Sequence, residues 1–600
     1  MRRAGGRSGW RYRPPRHDLP TQRAINTLRA SFGLILVVAL ILGFVGFGQA
    51  LHWSPAMLDL LYYDLQLFVL GAEPLAQLPD LPLALQIARF AAPSVTVYAF
   101  VEAGRLLFAE EWRRIRAHRA HHHAVVCGDG AVAAVLARRL LASRQRVVSV
   151  RSMVGTPFDW SVPLTVYGDP RDPEILRAAG VRRATAVYAC TDDSTVNTAI
   201  AMAVDRLRRP GSTSVSVYVY VRDPDLCLTL QARYLGGAPS GGMRLDFFHL
   251  DDLAARKLFA VERLAPVGGR PPRLLVGGAG GFGRAVIVEA ARRWRMRELG
   301  VPPPLPVAVV DPAATAAVAE LTHRYPFLSA TCRFTPYDDD LIRLLATGNL
   351  RDPPDLAVIC YDDEEQALKT AITAERLWRA GDCSVVIRLD RLTAFRAAPD
   401  GDGTGAGGLD GAGDPLFDEL SGRLRAFGVV HAACDPWLIG EDLVERLARV
   451  LHDRYRLALI QAGQTATSAE AMRRWEELPP DLRESNRQQA RDIGRKLRAI
   501  GCVLVPRVGH DDTLLLDDDH IERLARMEHE RWRAERLAAG WRYGDRHDPS
   551  RRLHPLLRDW EELPEPIRRR NHQALPEILA DAGFQVVRAG SAIPAQVARG

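Results

Sequence analysis

Ala30–Leu51 runs for 22 residues without a charged side chain, long enough to cross a hydrocarbon core of about 30 Å as a helix. A signal peptide would have a shorter apolar stretch with a small-residue cleavage site, so the run predicts a membrane span instead. A second apolar stretch, Leu83–Phe108, is interrupted by Arg89, Glu102 and Arg105 and contains Pro93. Its two arginines lie near the ends, where the stem stays in the apolar layer and the guanidinium reaches water. Glu102 lies deeper and calls for a protein or water surface. A helix lying along the bilayer surface is the other reading of this stretch. Arginines from Arg2 to Arg29 precede the first span, and Arg113 to Arg119 follow the second. This asymmetry predicts a multi-pass protein of the bacterial inner (cell) membrane, both termini cytoplasmic and Leu51–Pro82 outside. Residues 1–29, with Asp18 as their one acid, read as a disordered basic arm, and 30–110 as the membrane domain. Between the spans, Pro55–Leu70 has helical periodicity over about four turns. Beyond them, Trp112–His123 reads as a solvated basic linker. His118 and His121–His123 have no carboxylate or cysteine at ligand spacing, so no metal site is expected there.

From Ala124 the period changes. Ala124–Cys127, Val147–Val150, Leu164–Tyr167, Ala186–Cys190, Val215–Val221 and Leu245–Leu250 read as short buried strands. Between them Ala131–Leu141, Pro173–Ala179, Val196–Leu207, Leu226–Tyr234 and Leu253–Val261 read as helices. Such alternation predicts a parallel sheet covered on both faces. It begins again at Arg273. The expected fold class is α/β: two tandem Rossmann-like domains, 124–264 and 270–440, behind two transmembrane helices. From Asp442 the pattern turns helical, in segments 442–510 and 515–585. Asp400–Gly413, rich in glycine and aspartate, reads as a flexible loop.

Each α/β domain opens on a glycine turn between strand and helix. In Arg273–Gly283, Gly278, Gly280 and Gly283 have GxGxxG spacing; in Ala124–Ala133, Gly128, Gly130 and Ala133 fill the same positions. The first glycine permits a tight turn, the second a close approach of backbone to phosphate, the third close packing of helix on strand. Asp311 ends the second strand of the second copy, placed to accept ribose hydroxyls. In the first copy that position is Arg151. It either pairs a phosphate, as in NADP-type sites, or marks a fold without a ligand. The expected cofactor is a nucleotide: NAD(H), NADP(H), ATP or ADP.

Composition changes the picture little. The chain has 600 residues, about four domains by length, with 47% hydrophobic and 25% charged residues. The net charge of +7 rests on arginine, since lysine occurs only at 257, 369 and 496. With much alanine and glycine, this reads as a GC-rich genome rather than a nucleic-acid binder, and no basic run interleaves with aromatics. The eight cysteines are scattered without a CxxC, which predicts reduced thiols and neither a disulfide frame nor zinc. None of the lysines follows a glycine, so there is no phosphate-hydrolysing P-loop.

The first α/β domain resembles the regulator-of-potassium-conductance (RCK, or KTN) family over about 140 residues. Gly168-Asp169, Asp172-Pro173-Glu174, Leu176, Ala179-Gly180-Val181 and Ala184 repeat its GDxxDPExLxxAGVxxA block. Thr191-Asp192-Asp193 with Asn197 match its TDDxxxN turn, and Arg222-Asp223-Pro224 resembles its RVxDPE turn. The resemblance implies nucleotide binding, with Asp169 and Asp192 beside the glycine turn, and homo-oligomeric rings, dimers or tetramers, that pull on pore helices. The second copy keeps Tyr361-Asp362-Asp363 after its fourth strand but lacks the GDxxDPE block. Helix, short helix, helix is also the plan of two-span potassium channels, but no TVGYG-like filter follows the short helix. Asp64 or Glu73 could form a charged ring in an oligomer, although an external acid is ordinarily solvated.

The carboxy-terminal part repeats internally. His452-Asp453-Arg454-Tyr455 aligns with His529-Glu530-Arg531-Trp532, Trp475-Glu476-Glu477-Leu478-Pro479 with Trp560-Glu561-Glu562-Leu563-Pro564, and Asn486 with Asn571. The second copy resembles the ryanodine-receptor (RyR) domain through its HERW sequence, the run Leu537-Ala538-Ala539-Gly540-Trp541-Arg542-Tyr543-Gly544, His554-Pro555 and Trp560. Arg531, Trp532, Trp541, Arg542, Tyr543 and Trp560 could form a stacking and cation–π pocket for a base or phosphate. The alternative is that the aromatics close a small core.

These readings together predict a membrane protein of ion-channel type, concerned with monovalent cation or potassium transport and regulated by a nucleotide, with no enzymatic activity. A non-conducting membrane-bound nucleotide sensor or effector is the first alternative. An NAD(P)-dependent oxidoreductase is the second, weakened by the lack of a catalytic domain or a Tyr-x-x-x-Lys pair beside either glycine turn. The expected partners are the lipid bilayer, further copies of the chain and a small-molecule nucleotide, with no nucleic acid.

Overall fold

The structure, a computed structural model, describes residues 22–69, 71, 81–152, 162, 164–207, 214–235, 243–295, 297, 303–374, 377, 383–390, 424–441, 443–461, 472–507, 516–548, 550–565, 568 and 575–589. Residues 1–21, Glu73, Asp400–Gly413 and Asn571 lie outside the described residues. The chain forms two units, Met1–Arg113 and Arg114–Gly600.

In the first unit Gln22–Ala50 (α1), Met57–Leu67 (α2) and Leu83–His118 (α3) are helical. α1 begins inside the arm expected to be disordered: residues 22–29 hold no glycine or proline to stop the helix of the apolar run from extending back. Ala30–Ala50 and Leu83–Gly104 are long and apolar enough to cross a membrane. Leu34, Ile41, Phe90, Val97 and Phe100 on them are exposed, which suits contact with lipid tails. Glycine sets the closest helix contacts, as in membrane packing generally. A Cβ on Gly46 would lie 2.8 Å from the Leu85 backbone nitrogen, and one on Gly43 would overlap the Asp64 carboxylate. Asp64 is therefore not the solvated acid of the sequence reading: it is fully buried, beside Leu60, Leu67 and Phe47. Pro93 sits inside α3 without ending it. α3 also runs through most of the expected linker, because no glycine or proline intervenes between Arg105 and His118. His123 is buried with Nε2 3.0 Å from the Ala179 carbonyl, whereas His121 and His122 are exposed.

The second unit opens with Ala124–Cys127 (β1), Ala131–Ala142 (α4), Val147–Arg151 (β2), Leu164–Tyr167 (β3), Pro173–Ala178 (α5), Ala186–Ala189 (β4), Ser194–Leu207 (α6), Val215–Tyr220 (β5), Pro224–Tyr234 (α7), Met243–Phe248 (β6) and Leu250–Val261 (α8). The second set is Leu274–Gly277 (β7), Gly281–Arg295 (α9), Leu305–Val310 (β8), Ala314–Arg324 (α10), Phe327–Thr331 (α11), Cys332–Tyr337 (β9), Leu341–Thr347 (α12), Leu356–Ile359 (β10), Glu364–Thr373 (α13), Ser384–Arg388 (β11), Leu424–Phe427 (β12), Val429–Ala433 (α14) and Pro436–Gly440 (α15).

Both sheets are parallel and share one order: β3-β2-β1-β4-β5-β6 and β9-β8-β7-β10-β11-β12. The strand order reverses between the first and fourth strands of each, so the crevice beyond their carboxyl ends is where a ligand belongs. The sheets are joined face to face by helices in quasi-equivalent positions. α8, which follows the last strand of the first sheet, packs on α9, the first helix of the second; α14 packs on α4 in return, and α8 on α14. One continuous core results, with Val126, Leu136, Phe248 and Leu258 from the first half and Val276, Phe282, Val358 and Ile439 from the second. At roughly 1.5–3 kcal/mol for each large side chain buried, this seam is not a loose domain contact.

The remainder consists of Leu443–Gln461 (α16), Pro480–Ala499 (α17), Cys502–Pro506 (β13), Asp518–Ala538 (α18), Arg542–Tyr543 (β14), Leu553–His554 (β15), Leu575–Asp581 (α19) and Phe584–Arg588 (β16). The sequence reading had only helices here. β13 and β16 pair antiparallel, Cys502 opposite Arg588 and Pro506 opposite Phe584; each is a short valine-bearing run whose partner is far along the chain, so neither shows as a local hairpin. The two repeat copies make the same contact. His452 Nε2 lies 2.9 Å from the Arg473 carbonyl with its ring 5.9 Å from Trp475; His529 Nε2 lies 2.9 Å from the Arg558 carbonyl with its ring 5.8 Å from Trp560. All eight cysteines are buried and unbridged.

Candidate functional site

The first glycine turn lies at the carboxyl end of β1. Gly128 has φ +143°, and a Cβ there would meet the Cys190 carbonyl oxygen at 2.5 Å, so only glycine fits. Gly130 caps α4, where a Cβ would come within 2.9 Å of the Asp192 carboxylate. Ala133 is fully buried on the inner side of α4, filling the place of the third glycine. Between the glycines stands Asp129. Its carboxylate accepts the Ser152 N–H at 3.0 Å and lies 3.5 Å from Arg151 Nε. Arg151, its side chain 9% exposed, is thus turned onto the glycine turn, supplying positive charge there at the cost of sharing it with Asp129.

Asp169 is placed differently from the expectation. Its carboxylate is held by the side chain and then the backbone N–H of Arg171, which keep its pKa below the usual range. The GDxxDPE block is instead architectural. Asp172 accepts the Glu174 N–H and caps α5, Leu176 and Ala179 are fully buried, and Gly180 takes φ +71°. The TDDxxxN turn is a lock of the same kind. Asn197, fully buried, accepts the Thr191 N–H and donates to the carbonyls of Thr191 and Tyr220. From that turn the Asp192 carboxylate faces Gly130 and the Thr191 backbone lies against Gly128.

In the second copy Gly278 has φ +93°, Gly280 faces the Asp362 carboxylate at 2.9 Å from a would-be Cβ, and Gly283 packs against the Gly278 carbonyl. Asp311 accepts the Ala279 N–H at 2.9 Å as well as that of Ala313, so the expected ribose acceptor is engaged with its own turn. A further carboxylate arrives from the first half. Asp251, on α8, lies where a Cβ on Gly281 would meet its Oδ2 at 2.5 Å, at the start of α9. Burial raises its pKa, against the pull of His249 and Arg388. Arg388, at the end of β11, pairs with Asp362 and lies 3.6 Å from Asp390. Burial opposes its charge, but Asp251, Asp390 and Asp362 outweigh that and hold its pKa above the usual value. Asp251, Asp362 and Asp390 around Arg388, with Asp311 on the turn itself, repel an incoming phosphate. The first turn, with Arg151 against Asp129 and Asp192 facing Gly130, carries less net negative charge and is the better anion site.

The carboxy-terminal candidates do not form one pocket. Trp532 and Trp541 meet at His554, ring centroids 4.8 and 6.3 Å away. Trp541 stacks on His547, and Arg536 lies 5.1 Å over its ring. Trp560 is buried with Ala525 and Leu563 as core. Arg531 points away, onto Glu528 and Glu535. Arg542 is exposed, and Tyr543 donates to Asp545 at 2.7 Å under the Arg558 guanidinium. Trp532, Trp541 and His554 therefore form one half-buried aromatic cluster with the exposed His547, and Tyr543 stands exposed beside Arg558. Burial first, then His547 and Arg536, push His554 down to about 4.

Asp129, Asp251, Arg388, His547 and His554 had not been singled out as site residues. Asp129 was visible inside the first glycine turn and His554 inside the His-Pro motif. Asp251 and Arg388 had no local signal, because the contacts that matter come from other elements.

Comparison with known proteins follows this division of the chain. Residues 124–233 match the TrkA-N domain and residues 516–582 the RyR domain. Among solved structures the chain is similar to GsuK bound to ADP, with 13% identity over 70% of this chain and 97% of that one (TM-score 0.34). It is similar also to the GsuK channel bound to NAD, with 13% identity over 71% and 85% (TM-score 0.35). The A chain of dipicolinate synthase from Bacillus subtilis shows 11% identity over 57% and 99% (TM-score 0.21). Behind two helices apolar enough to span a bilayer, this chain carries a TrkA-N domain with an intact glycine turn and, near its other end, a RyR domain.

Proposed function

We propose that the chain is a nucleotide-regulated membrane protein of the potassium-channel type, acting by conformational coupling and not by catalysis. The observation that carries this reading is the first glycine turn. Within the matched TrkA-N region, Gly128 and Gly130 leave backbone room for a phosphate at the start of α4, where helix N–H groups favour an anion. Arg151 stands at the neighbouring strand end. A nucleotide binding there acts only through unequal affinity for two arrangements of the paired sheets. The paired sheets are linked in sequence to the membrane helices through α3, and copies of the chain assemble in the inner membrane with both termini inside.

The test is flux. Full-length protein in potassium-loaded vesicles releases potassium at a rate that changes on adding ADP or NAD, and Gly130→Val removes the response. Release insensitive to either nucleotide, from protein shown to bind them, overturns the regulatory reading. The non-conducting sensor is the second reading, favoured by the lack of a TVGYG-like stretch after α2; nucleotide binding with no flux under any condition selects it. Turnover of NADH by the pure protein would select the oxidoreductase.

A further inference from the structure

A cleft of about 1470 Å³ opens between α8, α9, α15, α16 and α17, lined by none of the glycine-turn residues. It exceeds the 300–1,000 Å³ or so of an ordinary small-molecule pocket. Its wall holds sixteen arginine or lysine side chains and nine acids, an excess of seven. An excess of this size along one concave wall focuses a positive field there.

The floor is built around Glu441, its side chain 7% exposed, which pairs with both Arg256 and Arg449. Two guanidiniums share one carboxylate, with Arg446 and Arg292 close by. Burial pushes Arg256 down to about 10 against the pull of Glu289, and Arg446, Arg449 and Arg292 add to the push. Asp453, one of the nine acids, is raised to about 6 by burial against the pull of Arg456. Arg256 Nη1 and the Nε atoms of Arg449, Arg454 and Arg483, all on residues lining the cleft, are buried with no acceptor among the described residues. Buried donors call for acceptors. At the rim Trp437 is 67% exposed. Its carbonyl accepts the Glu441 N–H at 3.2 Å, so the two residues are one helical turn, about 5 Å of rise, apart.

We propose that this cleft binds a nucleoside polyphosphate, its phosphates taken by Arg256, Arg446 and Arg449 and its base laid on Trp437. The guanidinium fork matches phosphate oxygens in pairs, and an exposed indole offers the flat face a base needs. The site is separate from the glycine turns and does not depend on their occupancy.

The test labels arginines of the full-length protein in detergent with phenylglyoxal and maps the products by peptide mass. ADP is expected to protect Arg256, Arg446 and Arg449, in wild type and in Gly130→Val/Gly280→Val alike, and to leave the exposed Arg343 reactive. In titration calorimetry Arg256→Gln/Arg449→Gln loses one class of ADP site. Trp437→Ala weakens ADP about tenfold at that site without changing the affinity for inorganic tripolyphosphate. Equal labelling with and without ADP overturns the proposal. So does ADP binding no tighter than tripolyphosphate and unaffected by Trp437→Ala.

Discussion

A Cβ on Gly283 would sit 2.0 Å from the Gly278 carbonyl oxygen, a backbone atom that cannot swing aside. Gly283→Ala is therefore expected to destabilise the second half by about 1–3 kcal/mol, read as a lower urea midpoint for the protein's unfolding. The glycine turns were legible because their constraint is local: a positive φ and a clash within a few residues leave glycine alone. Asp251 was not, since it reaches Gly281 only through packing of α8 on α9. His554 makes a prediction of its own. Its pKa is about 4 in the folded protein and about 6.5 in an unfolded chain. Between those values the unfolded state binds more protons, so the stability from keeping His554 neutral is complete above about pH 6.5 and is lost as pH falls toward 4. The tryptophan-fluorescence melting temperature should fall from pH 7 to pH 5 in wild type and fall less in His554→Asn. Equal falls would show that His554 is not the titrating group.

Between elements, the contact most open to test joins α17 to α18. Lys496, 1% exposed, pairs there with Glu528, which Arg531 also contacts. Burial disfavours the Glu528 carboxylate, but Lys496 and Arg531 outweigh it and hold the pKa below the usual value. Glu528→Gln leaves the buried ammonium, among the described residues, only the Asp492 carboxylate, 3.7 Å away, and should cost up to about 3 kcal/mol, whereas Lys496→Met/Glu528→Leu should cost far less. Denaturant unfolding of the three proteins distinguishes these outcomes, and equal losses in both variants would mean the pair is not the cause. This contact also explains why Arg531 left the aromatic cluster: the sequence places it one residue from Trp532, but a helix sends neighbours to different faces. The same local logic made the membrane helices and the alternating strands readable, while the β13–β16 pairing, set by distant partners, was not.

For the whole molecule, the decisive feature is the face-to-face pairing of two sheets with the same order through one core. The parallel sheet of each half followed from the alternation of strands and helices; the seam between halves did not, because α4, α8, α9 and α14 look like ordinary amphipathic helices until their partners are known. The halves are equal in plan but unequal in charge. Arg151 stands by the first turn with Asp129 and Asp192, whereas Asp251, Asp311 and Asp362 face the second with Arg388. NAD at about 100 times its dissociation constant should therefore stabilise the protein by about 2.7 kcal/mol. That shift in thermal unfolding is expected to vanish in Gly130→Val and to persist in Gly280→Val; the reverse would move the site to the second half. The covalent joining of the halves carries a numerical consequence. Dilution cannot part them, and an assembly of n chains offers n equivalent turns to the effector instead of 2n, so occupancy would saturate at one nicotinamide dinucleotide per polypeptide.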